Sequence, residues 1–479
     1  MKRKIVPSSL EERRIKKLVE EIRDVSEDIS AGQNYRDYIK EIMLCGSVEK
    51  GTWLSGNNEI DMFILFDPKT SREEFEEKGM EFAKKIVKKL KGKYEIAYAE
   101  HPYLKGNVKF EKTNYKIDIV PCYDLKDASK IKSSVDRTPH HVMFVKKNIG
   151  KLKDDIRLLK AFCEAKECYG ADVKTRGFSG YLCELLIIKY GGFMNCLKAA
   201  SKWNCGVKLD IQNKKYAAPM KSVKPLILKS PLIVIDPVDY KRNVAAAVSA
   251  ETFFKFVDAC EDFVRRPSDK HFFPYKLKPY TTSEIMKEMK RRGLRWYLLK
   301  FKRPDVVDDV LYPQLRRGLK RIENIIKENG FGVHRTDSWC GNISMGRSYR
   351  GHIKECILIF EMSDWCIPKV YMHEGPDVYS NRQTKGFLKR YKDKNVLIKG
   401  NNWMVELERE HRFALPFLRE FFRQNAKELR EKGIPSKLAE PVSKGKIVSG
   451  FEAVKIMKGI ADFRVFVRKY FEKNLNTLV

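Results

Sequence analysis

The chain has 479 residues, 43% of them hydrophobic and 33% charged, enough for about three domains of roughly 100–200 residues each. Lysine and arginine number 95 against 63 acidic residues, a formal charge of +32, which repels itself at low salt and fits a polyanionic partner, nucleic acid first. No apolar run approaches the roughly 20 residues a membrane span needs; Tyr181–Tyr190 comes nearest and is interrupted by Glu184 and Lys189. The basic start lacks the apolar stretch of a secretory signal, so neither export nor membrane insertion is expected. Eleven cysteines without one C-x-x-C pair read as free core thiols in a reducing cytoplasm, with no structural metal.

Residues 9–31 predict a densely charged opening helix. A strand over Tyr38–Leu44 runs into Gly46-Ser47, and Glu59–Phe66 (EIDMFILF) gives a second strand. Ser71–Leu90 carries Phe75, Phe82, Ala83, Ile86, Val87 and Leu90 on one helical stripe. Tyr115–Cys122 (YKIDIVPC) is a further strand. Beyond residue 150 the spacing turns helical, over Ile156–Tyr169, Ser179–Lys198 and Val244–Val264, with strand character in Leu226–Asp236. After a boundary at Arg265-Arg266-Pro267, strands are expected at Tyr297–Phe301, Cys356–Phe360 and Trp403–Leu407. There is no internal repeat, which excludes a solenoid.

The chemistry concentrates early. Glu59 and Asp61 are two apart on a strand, so both carboxylates leave the same face. Side by side they repel, and a divalent cation between them relieves the repulsion. Asp118, alone in the apolar K-I-D-I-V strand, is costly to bury without a partner. Beside Glu59 and Asp61 it completes an oxygen-ligand site suited to two Mg²⁺ ions. Gly46 lets the backbone approach phosphate oxygens, and the Ser47 hydroxyl and amide donate to them.

The stretch GSVEKGTWLSGNNEIDMFILF (46–66) resembles the nucleotidyltransferase signature of the DNA polymerase beta superfamily. EIAYAEHPYLKG (95–106), IDIVPCYDL (117–125), SSVDRTPHHVMFV (133–145), TRGFSGYLCELLIIKYGGF (175–193), DPVDYKRNVAAAVS (236–249) and FKRPDVVDDVLYPQL (301–315) narrow the resemblance to the archaeal, class I CCA-adding enzymes. It is strong to about residue 315 and thins beyond. The implied fold is α+β multidomain: a polymerase-beta-like head (1–147), a mostly helical neck (148–268), and an α/β body (269–312 and 396–479) and tail (313–395).

The implied activity is template-independent addition of C, C and A to the tRNA 3′ end from CTP and ATP. Glu59, Asp61 and Asp118 fall on the family's metal ligands. Gly46, Ser47, Lys50, His141, Lys160, Tyr169 and Arg242 fall on positions that contact the nucleotide, Arg242 near the base. Lys50 stands where relatives often carry arginine, so a planar fork becomes a point charge. His140 precedes His141 where an aromatic is usual, and Ala247 stands where asparagine is expected.

Lys287–Arg303 (KEMKRRGLRWYLLKFKR) interleaves Trp296, Tyr297 and Phe301 with basic residues. That is a pattern for tracking phosphates and stacking bases, or for an amphipathic helix and strand with a solvated basic face. Arg291, Arg292 and Arg295 are its RNA-binding candidates, joined by Lys389 and Arg390 in a second strip, Arg382–Lys394. The rival readings are a poly(A) polymerase or terminal uridylyltransferase, and an RNA-binding scaffold with an inactive head. Oligomeric state, a homodimer included, stays open.

Overall fold

The computed structural model describes residues 1–31, 35–98, 100–212, 230–273, 277–341 and 354–472. They form two compact units, Met1–Tyr275 and Lys276–Lys473.

In the first unit a short helix, α1 (Lys2–Ile5), precedes α2 (Ser9–Ser30). Ser8 and Glu11 cap α2 reciprocally: the Ser8 hydroxyl accepts from the Glu11 amide, and the Glu11 carboxylate accepts from the Ser8 amide. Two donors left free at a helix start are thereby satisfied. β1 (Ile39–Cys45) runs into the one-turn α3 (Gly46–Lys50), followed by β2 (Glu59–Phe66) and α4 (Arg72–Lys89), which Ser71 and Glu74 cap in the same way. β3 (Lys93–Tyr98), β4 (Pro102–Phe110) and β5 (Thr113–Tyr123) complete a sheet ordered β1-β2-β5-β4-β3. Only β2 and β5 run parallel within it.

The helices α2 and α4 cover one face of this sheet. Ile60, Met62 and Ile64 of β2 and Ile117 and Ile119 of β5 are buried with Ile15, Ile22, Phe75, Phe82 and Ile86. Alternation along a strand then sends Glu59, Asp61 and Asp118 to the opposite face.

Helices follow: α5 (Thr138–Asn148), α6 (Lys153–Ala165), α7 (Gly180–Tyr190) and α8 (Phe193–Ala200), then β6 (Val207–Asp210), β7 (Leu232–Ile235) and α9 (Ala250–Arg265). The single helix expected over 179–198 is two. Gly191 (φ 70°) and Gly192 (φ 149°) take backbone conformations that side chains disfavour and turn the chain between them. The helix expected over 156–169 stops at Ala165, and that expected over 244–264 begins at 250, where Ser249 caps it. Of the strand expected over 226–236, residues 226–229 lie outside the described residues; the rest is β7.

The second unit opens with α10 (Thr282–Arg292), β8 (Arg295–Lys302), α11 (Asp308–Glu328), β9 (Gly332–Cys340) and β10 (Glu355–Asp364). β11 (Val370–Asp377), α12 (Asn381–Arg390), β12 (Val396–Lys399) and β13 (Asn402–Glu408) come next. It closes with α13 (Ala414–Arg423), α14 (Ala426–Glu431), α15 (Ser436–Ser443), β14 (Lys446–Ser449), α16 (Gly450–Lys458) and α17 (Ala461–Phe471).

Two sheets result, β14-β8-β10-β9 and β11-β13-β12. They redraw the division of body and tail at 312/313 and 395/396. β10, placed with the tail by sequence, pairs with β8 and carries β9 into the sheet of β8 and β14, while β13, placed with the body, pairs with β11 and carries β12. The cause is pairing between strands far apart in sequence, which no local pattern announces. Cys340 and Cys356 also depart from the expected free thiols. Antiparallel register sets them directly opposite, with Cα atoms 4.2 Å apart, and they form a disulfide.

Candidate active site

The β2–β5 ladder places Asp61 directly beside Asp118, and Glu59 beside Lys116 one step earlier. Glu59 is exposed and meets Lys116 at 3.3 Å. Among the described residues Asp61 closes no ion pair, and Lys50 and Lys160 act on it only at a distance. Burial, and then the neighbouring Asp118 and Glu59 charges, push its pKa up to about 6. Asp118 is raised too, by burial first. Two carboxylates held this way disfavour being charged together, and a cation relieves them.

The turn after β1 closes over this pair. β1 and β2 set Cys45 opposite Asp61, and Gly46 follows with φ +64°. A Cβ at Gly46 would collide with the Asp61 carboxylate. Only glycine therefore allows the backbone of Gly46 and Ser47 so close to the acidic pair. Ser47 is half-buried in α3, and its carbonyl accepts from the Thr52 amide at 2.9 Å. An acidic oxygen donor set under an open backbone turn fits a hard divalent cation.

Lys50 and Lys160 converge on one residue that sequence reading passed over. Glu184, in α7, is fully buried. Its carboxylate accepts from Lys50 Nζ at 2.6 Å, Thr52 Oγ1 at 2.6 Å and Lys160 Nζ at 3.3 Å. Lys160 Nζ also donates to the Thr52 carbonyl at 3.1 Å. The sequence signal was available: an acid in an apolar helix must find a cation, and two lysines stood at implied site positions. Burial alone would raise the Glu184 pKa, but Lys50 and Lys160 bring it below the usual range. Lys160 is itself lowered, by burial. Tyr169 lies beside this group; a Cβ on Gly180 would stand 3.0 Å from its hydroxyl and 3.6 Å from Lys160 Nζ.

A second buried carboxylate, Asp236, gathers the base-side candidates. His141 Nε2 lies 2.9 Å and Arg242 Nη1 2.8 Å from Asp236 Oδ2, and the Tyr181 hydroxyl donates to Oδ1 at 3.1 Å. The His141 ring stacks on Tyr181 at 3.9 Å between centroids, and Lys50 Nζ lies 5.9 Å from the Tyr181 ring centre. His141, rather than His140, is thus built into the cluster. Burial lowers the His141 pKa, while His141 and Arg242 bring Asp236 down to about 2 against its own burial. Arg242 keeps 35% of its side chain exposed and is the open edge of the group.

The RNA-binding candidates lie in the second unit. Arg291 and Arg295 are exposed; Arg291 pairs with Glu288 at 2.8 Å, and Arg295 lies 5.2 Å from the Trp365 ring centre. Lys389 and Arg390 are exposed on α12. Arg292 turns inward to the fully buried Glu361, which Trp296, Arg335 and Tyr470 also contact. Trp296, Tyr297 and Phe301 are core residues, so the base-stacking role for those aromatics does not hold. Trp296 packs with Phe463 and Tyr470 on one face of the sheet, and Tyr297 and Phe301 with Leu311 and Leu315 on the other.

A register-paired acidic couple under a glycine turn, on a sheet backed by two helices, defines a nucleotidyltransferase head. The family model "Nucleotidyltransferase domain" matches residues 22–141, "tRNA nucleotidyltransferase, second domain" matches 154–273, and "CCA-adding enzyme, C-terminal domain" matches 292–449. A protein named CCA-adding enzyme from Methanosarcina acetivorans is 36% identical over 437 residues, 90% of this chain and 88% of that one. Its namesakes from Methanocaldococcus jannaschii (37% over 391 residues, 81% and 82%) and Pyrococcus abyssi (34% over 400 residues, 82% and 82%) are similar to it as well. The chain belongs to the CCA-adding enzyme family.

Proposed function

We propose that this protein adds C, C and A without a template to the 3′ end of tRNA, from CTP and ATP. The observation that carries the reading is the pairing of Asp61 with Asp118, with Glu59 on the same face, beneath the Gly46 turn. Glu59, Asp61 and Asp118 would hold two Mg²⁺ ions, whose charge, when bound, favours ionisation of the ribose 3′-hydroxyl and loss of pyrophosphate. Gly46 and Ser47 receive the triphosphate through backbone and hydroxyl donors. Lys50 and Lys160 share one carboxylate, so their cluster keeps one net positive charge beside the triphosphate, and Tyr169 borders it. Asp118, next to Asp61 on the side away from Gly46, accepts the proton of the terminal 3′-hydroxyl. The freed oxygen bonds to the α-phosphorus as the bond to the bridging oxygen of pyrophosphate breaks.

Arg242, fixed on Asp236, presents donors to the base edge, and His141, whose Nε2–H is held by the Asp236 carboxylate, offers its other ring nitrogen as an acceptor. The exposed Arg291, Arg295, Lys389 and Arg390 hold the tRNA backbone, which is read by shape rather than base sequence. Among the described residues no helix is long and apolar enough to cross a membrane, and the reading places the protein with tRNA in the cytoplasm.

The test offers labelled CTP and ATP, alone and together, with tRNA lacking its 3′ end. Growth that stops after CCA supports the reading. A long homopolymer of A or U selects the polymerase rival, and no Mg²⁺-dependent incorporation selects an inactive head.

A further inference from the structure

The catalytic row continues past the carboxylates. Across neighbouring strands, register aligns Cys45, Asp61, Asp118, Lys105 and Glu95. Lys105 therefore sits on β4 directly beside Asp118, on the side away from Asp61 and the Gly46 turn. Directly opposed residues share a face, so the Lys105 side chain leaves the sheet with the acidic pair.

The direction of the row has a chemical meaning. Triphosphate donors lie at its Gly46 end. An in-line displacement sets the attacking oxygen and the leaving pyrophosphate on opposite sides of the α-phosphorus. The acceptor strand must then approach from the other end, past Asp118, where Lys105 stands. An RNA 3′ end brings its last phosphodiester within a few ångströms of the reacting hydroxyl, where a cation beside Asp118 can hold it.

The other cations around the cleft are committed. Lys50 and Lys160 bind Glu184, Arg242 binds Asp236, and Lys116 binds Glu59. Lys105 is half-buried, with Nζ 5.6 Å from the Tyr103 ring centre. Among the described residues it closes no ion pair.

We propose that Lys105 is a positioning residue that holds the last phosphodiester of the RNA acceptor strand beside Asp118. This rests on the nucleotidyl-transfer reading above. A lysine suits the task, because a point charge on a flexible stem can follow a phosphate whose base and backbone change with each addition.

The test uses the full chain and tRNA lacking its 3′ end, with the last phosphodiester either natural or replaced by an uncharged methylphosphonate. The wild type should lose about tenfold in efficiency on the neutral linkage, as a charge-assisted contact is lost. Lys105→Met should raise the KM for tRNA about tenfold, leave the KM for CTP unchanged, and be insensitive to the neutral linkage. Lys105→Arg should recover most of the loss. Equal wild-type efficiency on both linkages overturns the proposal, whether or not the variant folds. So does a Lys105→Met penalty that multiplies with the linkage penalty, or one that falls on CTP. Failure of the reading beneath looks different: the wild type would then incorporate nothing on either substrate.

Discussion

Asp61 on the head sheet and Glu184 in α7 are both carboxylates drawn out of water, and their surroundings push them in opposite directions. Asp61 has Asp118 and Glu59 for neighbours and is raised to about 6. Glu184 has Lys50, Lys160 and Thr52 and is lowered. Asp236 and Glu361 resemble Glu184: each is buried, bonded to arginine, and depressed. A carboxylate that finds its cations within the chain holds structure together. One left facing like charge keeps its capacity for a cation from outside.

The sharpest way to break this contrast is to neutralise each kind of acid. Asp61→Asn or Asp118→Asn should cut nucleotide incorporation by at least about 10²–10³-fold, the scale lost with one preorganised electrostatic group. Stability should hold or rise, because the substitution removes repulsion. Incorporation assays paired with thermal melts decide it, and wild-type turnover in either variant would remove the metal assignment. Glu184→Gln should do the reverse to the fold. It leaves two buried ammoniums without a carboxylate, a loss of roughly 3–5 kcal/mol in denaturant unfolding. Pairing Glu184→Gln with Lys160→Met should recover part of that loss; if it recovers nothing, the cluster is not coupled as its geometry indicates.

The same contrast explains what could be read from sequence. Glu59, Asp61 and Asp118 were legible because strand alternation sets their face and an acid in an apolar strand demands a reason. Lys50 and Lys160 were legible as positions but not as an ion-paired group. Their partner Glu184 registers in sequence only as a break in an apolar run, and the pairing spans 134 residues for Lys50. Distance in sequence also hid the body sheet, where β14 joins β8, and the facing of Cys340 and Cys356. Trp296 misled for a related reason. Its basic neighbours suggested a surface strip, while strand alternation and the Glu361 cluster bury the ring.

Asp236 offers a pH test of intermediate size. Its folded pKa of about 2 lies below the ordinary value of about 3.9, so the unfolded chain binds the proton more readily. The stability it contributes, roughly 2–3 kcal/mol, is complete above the unfolded pKa and is lost as pH falls through the folded one. His141 acts with the same sign. Burial lowers its pKa, so below its ordinary value of about 6.5 the unfolded state gains protons first. Unfolding at pH 5 and pH 3 should show about half of the Asp236 contribution gone at the lower pH. Asp236→Asn should remove that part of the acid limb and enlarge the His141 part, because the Asp236 charge is what holds the His141 pKa up against burial; an unchanged limb would mean that the cluster does not govern acid stability.

Arg242→Ala should give the smallest effect and separates two roles that share one contact. The guanidinium meets Asp236 at 2.8 Å, as a structural ion pair would, yet 35% of the side chain remains exposed. That partial exposure limits the pair's worth for stability to roughly 1 kcal/mol or less. His141 and the Tyr181 hydroxyl still satisfy Asp236 after the substitution, so the melting temperature should scarcely move. If the open edge of the fork meets the nucleotide base, losing its donors should cost about 1 kcal/mol in the transition state, near fivefold in kcat/KM for CTP and ATP. Discrimination against UTP and GTP should relax with it, because an unpaired base edge no longer distinguishes the correct partner. Nucleotide competition and a melt on the same preparation settle the matter. A lower melting temperature with unchanged preference would make Arg242 another member of the self-satisfied class that Glu184 represents, and would leave base selection to His141 and its neighbours.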